Sequence, residues 1–173
     1  MTVLVVETGA NVSGANGYVT MEACATYAAA RGLTFGDSPS TSGEQAIIRA
    51  TAALDSIYRH ALPGYKTNGR SQNLEWPRTA AYDREGLLIA TTEIPTEVIQ
   101  ATCEMAVREL ATPNSMMPDL ERGGAIKSIR AGSVSIDYGA NAASQTTYTI
   151  IDGLMTSLLG ARQVSFVGEA TRG

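Results

Sequence analysis

The sequence predicts a mainly α-helical fold: a small helical bundle of about four helices with a short β-hairpin or strand excursion and extended termini. Three observations predict it. Four segments carry apolar residues at helical spacing, one short segment alternates apolar and polar residues, and a length of 173 residues fits one hydrophobic core. We therefore expect a single domain over residues 1–173, with a helical core at about 20–160 and a C-terminal tail at 161–173.

The N-terminal segment predicts a short strand, a turn and the first helix. Residues 3–6 form an apolar, largely β-branched run, and a glycine-containing loop follows them. Thr20 is a suitable N-cap for a helix over residues 21–31, because Glu22 stands in its first turn and Gly32 follows its end. The apolar stripe of this helix consists of Cys24, Tyr27 and Ala28.

The second helix has the clearest period in the chain. Ser42 and Gln45 are spaced as a capping box, so we expect Ser42 to be the N-cap and the helix to continue through His60. Pro63 and Gly64 then end it. The residues expected on its core-facing side are Ile47, Ala50, Leu54, Ile57 and Ala61.

A third helix is predicted from Pro95, which suits a first turn, to about residue 111. Its period leaves two candidate faces. One carries Val98, Thr102, Met105 and Glu109, and the more apolar one, which we expect to be buried, carries Ile99, Cys103, Ala106 and Leu110.

The C-terminal third predicts a strand and a fourth helix. Residues 133–138 alternate polar and apolar side chains, as a half-buried strand does, and residues 127–130 can begin a hairpin with them. Residues 139–147 are small and polar, and we expect them to be mobile. The fourth helix, over residues 148–159, carries Ile151, Leu154, Met155 and Leu158, and Gly160 follows it.

Composition excludes several classes of protein. With 44% hydrophobic and 17% charged residues the chain is globular, and the formal net charge of −4 argues against a general nucleic-acid binder. Two Cys and one His cannot supply the about four ligands of a structural zinc site. The first residues lack a basic stretch and a long apolar run, so we expect a product of the cytoplasm without a membrane segment.

Catalytic chemistry has few candidates. His60, the single imidazole, is expected to act as a cation or cap at a helix end. Glu104 and Glu109 are expected on a solvated helix face, and Cys24 and Cys103 in the core. No phosphate-binding glycine motif occurs. We therefore expect no enzyme activity, no catalytic residues, no cofactor and no metal.

A locally basic region with interleaved aromatic residues spans residues 59–84. Three explanations stay open for it: a platform on which single-stranded bases stack, an anchor patch at a protein interface, and ordinary packing of Trp76. Composition favours the interface over the platform, because the chain has only ten aromatic residues and this region has only three more cations than acids. The region contains the cations Arg59, Lys66, Arg70, Arg78 and Arg84, the acids Glu75 and Asp83, and the aromatics Tyr65, Trp76 and Tyr82.

Several blocks of the sequence resemble one family of small tailed-phage proteins. The blocks are ANGYV at 15–19, LEWPR at 74–78, YDREG at 82–86 and IPTEV at 94–98, and their order carries the resemblance over nearly the whole chain. Members are often labelled DnaT-like single-stranded DNA-binding proteins, and the resemblance also points to head-tail adaptor proteins. It implies mostly helical subunits without catalysis or cofactor that assemble, commonly as about twelve copies, into a ring between portal and tail.

Physical arguments favour the adaptor over a DnaT-like replication protein that binds single strands. A single-strand binder needs a basic groove and many aromatics, whereas an acidic ring lets packaged DNA pass through its lumen without specific binding. The expected partners are copies of the chain, the portal and a tail, stopper or tail-terminator protein, in the virion neck after assembly in the host cytoplasm. Trp76 and Pro77 are expected to anchor the excursion, and the interface candidates are Arg78, Tyr82, Arg84, Arg162, Phe166 and Val167.

Overall fold

The computed structural model describes residues 4–36, 40–117, 128–131, 134–137 and 148–159. The predicted fold class is confirmed: within these ranges the chain is mainly α-helical and has short antiparallel strand pairs. The helices are α1 (Met21–Ala29), α2 (Thr41–Tyr58), α3 (Thr96–Ala111) and α4 (Thr149–Met155). None of these helices combines the length and the apolar character that a bilayer crossing requires.

The first helix forms as predicted, whereas the strand before it does not. The Oγ1 atom of Thr20 accepts a hydrogen bond from the backbone N–H of Ala23 at 3.2 Å, which caps α1, and Cys24 and Ala28 are buried. In place of a strand at residues 3–6, the described residues show an isolated parallel bridge between Val6 and Gly17. The chain turns back on itself there, so its backbone groups pair with the following loop instead of with a sheet.

The second helix confirms most of the predicted core face but not the predicted cap. Ile47, Ala50 and Leu54 are fully buried. Ile57 is only half-buried, and Ala61, also half-buried, lies beyond the end of the helix. Ser40, not Ser42, is the N-cap, because Ser40 has the extended backbone that a cap requires and its Oγ accepts from the N–H of Gly43 at 3.3 Å. The helix ends at Tyr58, so His60 lies beyond it and is exposed.

The buried face of α3 was predicted wrongly. Val98, Thr102, Met105 and Glu109 are buried, whereas Ile99 and Leu110 are only half-buried. The cause is the central position of α3, which packs against α1, α2 and α4 and therefore buries most of its circumference. Cys103 and Ala106, from the predicted face, are buried as well, and the expectation that Cys24 and Cys103 are core residues is confirmed.

Glu104 and Glu109 also lie in the interior instead of on a solvated face. Their exposed fractions are 3% and 1%, and each carboxylate is paired with an arginine: Glu104 with Arg108 at 2.7 Å, and Glu109 with Arg49 at 2.7 Å. An unpaired buried charge is strongly disfavoured, so these ion pairs are what allow two carboxylates to be buried on a helix that three others enclose.

The C-terminal third contains a separate hairpin and the last helix. β3 (Ser128–Ala131) and β4 (Val134–Asp137) pair antiparallel, with Ile129 opposite Ile136, and they contact no other helix or strand of the described ranges. In α4 and the turn after it Ile151, Met155 and Leu158 are buried as predicted, although the helix itself ends earlier, at Met155. The expected mobile loop at 139–147, Tyr138 and Gly160 lie outside the described residues.

Candidate functional site

The excursion between α2 and α3 is held to the helical body by a buried polar cluster. The hydroxyl of Tyr18 donates to Oδ1 of Asp55, on α2, at 2.7 Å. The N–H of Glu75 lies 3.0 Å from both Oδ2 of Asp55 and the Tyr18 oxygen, and the N–H of Trp76 donates to that oxygen at 3.1 Å. The backbone at residues 75–76 is thus fastened to the start of the chain and to α2 at one point.

Burial makes this cluster sensitive to protonation. Removal from water raises the pKa of Asp55 to about 6, against the hydrogen bonds from Tyr18 and Glu75, which lower it. Burial and the nearby charge of Asp55 raise the pKa of Tyr18 well above its usual value, so its hydroxyl keeps its proton. The other charged groups that act on Asp55 are the carboxylate of Glu75 and the ammonium of Lys66.

We expect Asp55 to make the free energy of unfolding fall as pH rises from about 4 to above 6. Its folded-state pKa of about 6 exceeds the reference value of 3.8, so the folded state binds more protons in this window and loses about 2 to 3 kcal/mol across it. Urea unfolding of wild type and Asp55→Asn at several pH values measures the effect. The difference between the two proteins should shift by that amount between pH 4 and pH 7, while Glu93→Gln, at an exposed position, should follow wild type. If the difference in free energy of unfolding between wild type and Asp55→Asn is the same at pH 4 and pH 7, the raised pKa of Asp55 is contradicted.

Trp76, Pro77 and Arg78 all lie in the interior. The Trp76 side chain is 0% exposed, and its Nε1 atom has no hydrogen-bond partner in the described part of the chain. Pro77, which follows a cis peptide bond, is also buried. The guanidinium of Arg78 donates to the carbonyls of Pro63 at 2.6 Å and Gly64 at 2.8 Å and pairs with Glu75 at 3.0 Å. Arg78, expected at an interface, is thus occupied by contacts within its own chain.

The remaining described interface candidates lie on an exposed turn, residues 82–88, which we call the apolar turn. Tyr82 pairs antiparallel with Leu88, and the Oδ1 atom of Asp83 accepts the N–H groups of Glu85 at 2.9 Å and Leu87 at 2.8 Å. Ala81 and Ile89 on either side are buried, so the turn is rooted in the core. Tyr82, Leu87 and Leu88 are 51%, 64% and 64% exposed. Arg84 is exposed, and Arg162, Phe166 and Val167 lie outside the described residues.

Sequence reasoning missed Leu87 and Leu88 as surface residues. An apolar pair after a turn usually enters a core, but the bridge between Tyr82 and Leu88 keeps both leucines in the exposed turn. The chain re-enters the core only at Ile89, whose N–H donates to the carbonyl of Ala81 at 2.9 Å. It also missed Asp55, whose neighbours Tyr18 and Glu75 are distant in sequence. For the two leucines, the signal available in the sequence was the Glu85-Gly86 turn that precedes them.

The described residues offer little reactive chemistry. No group of three or more metal-ligating side chains is found among them. A hydrogen bond with Cys103 and burial raise the pKa of the Cys24 thiol, which keeps it in the unreactive protonated form. The described residues therefore form a helical body with an exposed apolar turn and a hairpin that contacts no other described helix or strand.

Comparison with known proteins assigns this chain to a family. The chain matches, over residues 2–173, the family described as "Putative DnaT-like ssDNA binding protein", and it belongs to that family. No curated protein matches the chain, and no solved structure matches it either.

Proposed function

We propose that this protein is a head-tail adaptor: a structural virion subunit that forms a ring between portal and tail, through which DNA passes. The observation that carries the proposal is that the tryptophan and two cations of the 59–84 region are engaged in contacts within the chain. Trp76 is fully buried, and Lys66 and Arg78 both pair with Glu75. Base stacking and phosphate binding require these groups at the surface.

Electrostatics beyond this region support the same proposal. Five cations of the described ranges form ion pairs with three largely buried carboxylates, so contacts within the chain neutralise part of their positive charge. The pairs are Arg31–Glu104, Arg108–Glu104, Arg49–Glu109, Lys66–Glu75 and Arg78–Glu75. With a net charge of −4, such a surface repels a nucleic-acid backbone, which suits a channel that DNA must leave freely.

The β3–β4 hairpin gives a second line of support. A two-stranded ribbon is at best marginally stable in water by itself, and this one contacts no other described helix or strand of its own subunit. A neighbouring subunit, the portal or a tail component would supply the missing contacts. In a ring of identical copies each subunit meets its neighbour through two different faces, so protruding elements of this kind are expected.

The alternative is a DnaT-like protein that binds single-stranded DNA, as the family description states. One structural observation favours it: Tyr65 is 74% exposed, Tyr82 is 51% exposed, and the exposed Arg70 and Arg84 lie nearby in sequence. Two tyrosines with two arginines could hold a few bases.

Fluorescence anisotropy with labelled oligo-dT, combined with sedimentation and electron microscopy of the full chain, separates the two functions. We expect no saturable binding of the oligonucleotide at micromolar protein and physiological salt, and closed rings alone or on purified portal. The adaptor proposal fails if the protein binds tightly with an affinity that falls steeply with salt, and if Tyr65→Ala with Arg70→Gln weakens that binding by tenfold or more. Leu33→Ala, also an exposed residue, is the matched control.

A further inference from the structure

We propose that the apolar turn of one subunit, which lies beside the N-terminal end of α3, inserts into a groove of a second copy of this chain. The groove lies at the C-terminal end of α3, where that helix meets the start of α4. The inference rests on the proposed function and adds to it the contact by which neighbouring subunits join. It starts from two surface features of the described residues that no interaction within the subunit explains.

The first feature is the apolar turn itself, which is rigid as well as exposed. Asp83 fixes its backbone through two accepted hydrogen bonds, and the N–H of Arg84 donates to the carbonyl of Ser157, just after α4, at 2.8 Å. The backbone that carries three apolar side chains, each more than half exposed, is already held by these hydrogen bonds, so binding costs little further backbone entropy. A rigid turn of this kind is suited to insertion into a preformed groove.

The second feature is an apolar groove of about 280 Å³ where the C-terminal end of α3 meets the start of α4. A groove of this volume has room for one or two apolar side chains. Met117, 52% exposed, follows the groove in sequence and extends its apolar character. The groove is lined by Arg108, Ala111, Thr112, Ser115, Met116 and Tyr148.

The turn and the groove lie at opposite ends of the same helix pair. The hydroxyl of Ser157 donates to Glu97 in the first turn of α3 at 3.2 Å, and Arg84 is fastened beside it. At the other end the hydroxyl of Tyr148 donates to the carbonyl of Ser115 at 2.8 Å. Since α3 has 16 residues, about 24 Å separates the two ends. A subunit therefore cannot fill its own groove with its own turn.

This separation selects a second copy as the occupant. A protrusion at one end and a complementary groove at the other give a head-to-tail contact, which closes into a ring when the rotation between subunits permits. Charge agrees with the pairing: Glu85 is exposed on the turn, and Arg108, whose side chain is 30% exposed, lines the groove. The Nη1 atom of Arg108 already pairs with Glu104 at 2.7 Å, but a guanidinium has further N–H donors that a second carboxylate can accept. Leu87 and Leu88 would supply the buried apolar area, and Glu85 would lie near Arg108.

Disulfide trapping tests the contact in the full chain. Leu88→Cys and Thr112→Cys are each introduced alone, mixed in equal amounts and oxidised with copper phenanthroline; the native Cys24 and Cys103 are buried and remain as they are. We expect a reducible dimer in the mixture, at least tenfold more than with the control mixture of Leu33→Cys and Thr112→Cys. The double variant Leu88→Cys/Thr112→Cys should give a ladder of covalent multimers.

Sedimentation supplies the second measurement. Leu88→Asp should weaken self-association by tenfold or more without lowering the melting temperature, while Leu33→Asp should leave association within twofold of wild type. Wild-type oligomers that give no trapped dimer above the control overturn this contact and leave the ring proposal standing. If the chain neither self-associates nor gives a trapped dimer, the contact is overturned. If the monomer also binds the oligonucleotide tightly, the ring proposal is overturned as well. Slow maleimide labelling of Thr112→Cys in the monomer shows that the chain covers its own groove and also overturns the contact.

Discussion

Replacing Trp76 by alanine should lower the free energy of unfolding by about 3 to 5 kcal/mol, one of the two largest effects of any substitution considered. The side chain is 0% exposed and belongs to the same buried cluster as residues of α1, α2, α3 and α4. Its removal leaves a cavity where the excursion meets the helices, and the cluster of Tyr18 and Asp55 holds the backbone of residue 76 in place so that the cavity cannot easily collapse. Urea unfolding followed by far-ultraviolet circular dichroism measures the change.

Two control variants sharpen this test. Trp76→Phe removes the Nε1 donor, which is buried without a partner among the described residues, and keeps much of the apolar area, so it should cost clearly less than alanine. Tyr65→Ala, on the surface of the same excursion, should stay within about 0.5 kcal/mol of wild type. If Trp76→Ala and Tyr65→Ala cost the same, then Trp76 does not anchor the excursion.

The α-helical class and most of the core could be predicted because local periodicity and burial agree there. In α2 the spacing of Ile47, Ala50 and Leu54 is sufficient, since this helix has one buried face. The spacing alone fails for α3, which is enclosed by three other helices. A periodic pattern identifies one favoured face, and it carries no information on how many neighbours a helix has.

The candidate site was less predictable for a related reason. Trp76 and Arg78 lie two positions apart in the sequence. A surface interface patch and a core anchor use the same residue types, so residue type alone does not tell which of the two these residues form. What places Arg78 inside is a set of carbonyl oxygens, those of Pro63 and Gly64, which no side-chain pattern reveals. The exposure of Leu88 depends in the same way on backbone register, because a slip of one residue would exchange its exposure with that of Ile89.

Glu109→Ala should destabilise the protein by about 3 to 5 kcal/mol, for an electrostatic reason that differs from that of Trp76. The carboxylate is 1% exposed and accepts hydrogen bonds from Arg49 at 2.7 Å and from the N–H groups of Asn114 at 2.8 Å and Met116 at 2.9 Å. Alanine leaves the two N–H groups without their acceptor and removes the carboxylate partner of Arg49, which keeps only its hydrogen bond to the backbone carbonyl of residue 109 at 3.0 Å. The double variant with Arg49→Ala should therefore lose less than the sum of the single variants, by about 0.5 to 3 kcal/mol, as measured by urea unfolding.

The pH dependence of Glu109 has the opposite sign to that of Asp55. Burial tends to raise the pKa of Glu109, but the N–H of Met116, the guanidinium of Arg49 and the N–H of Asn114 outweigh it, and the pKa is lowered. The stabilisation is therefore present above the unfolded-state pKa of about 4.3 and is lost as pH falls through the lower folded-state value. The cost of Glu109→Ala should shrink in acid, whereas protonation of Asp55 stabilises the fold between pH 6 and 4. A cost that stays constant down to the acid transition would show that the carboxylate contributes packing and no charge-dependent stabilisation.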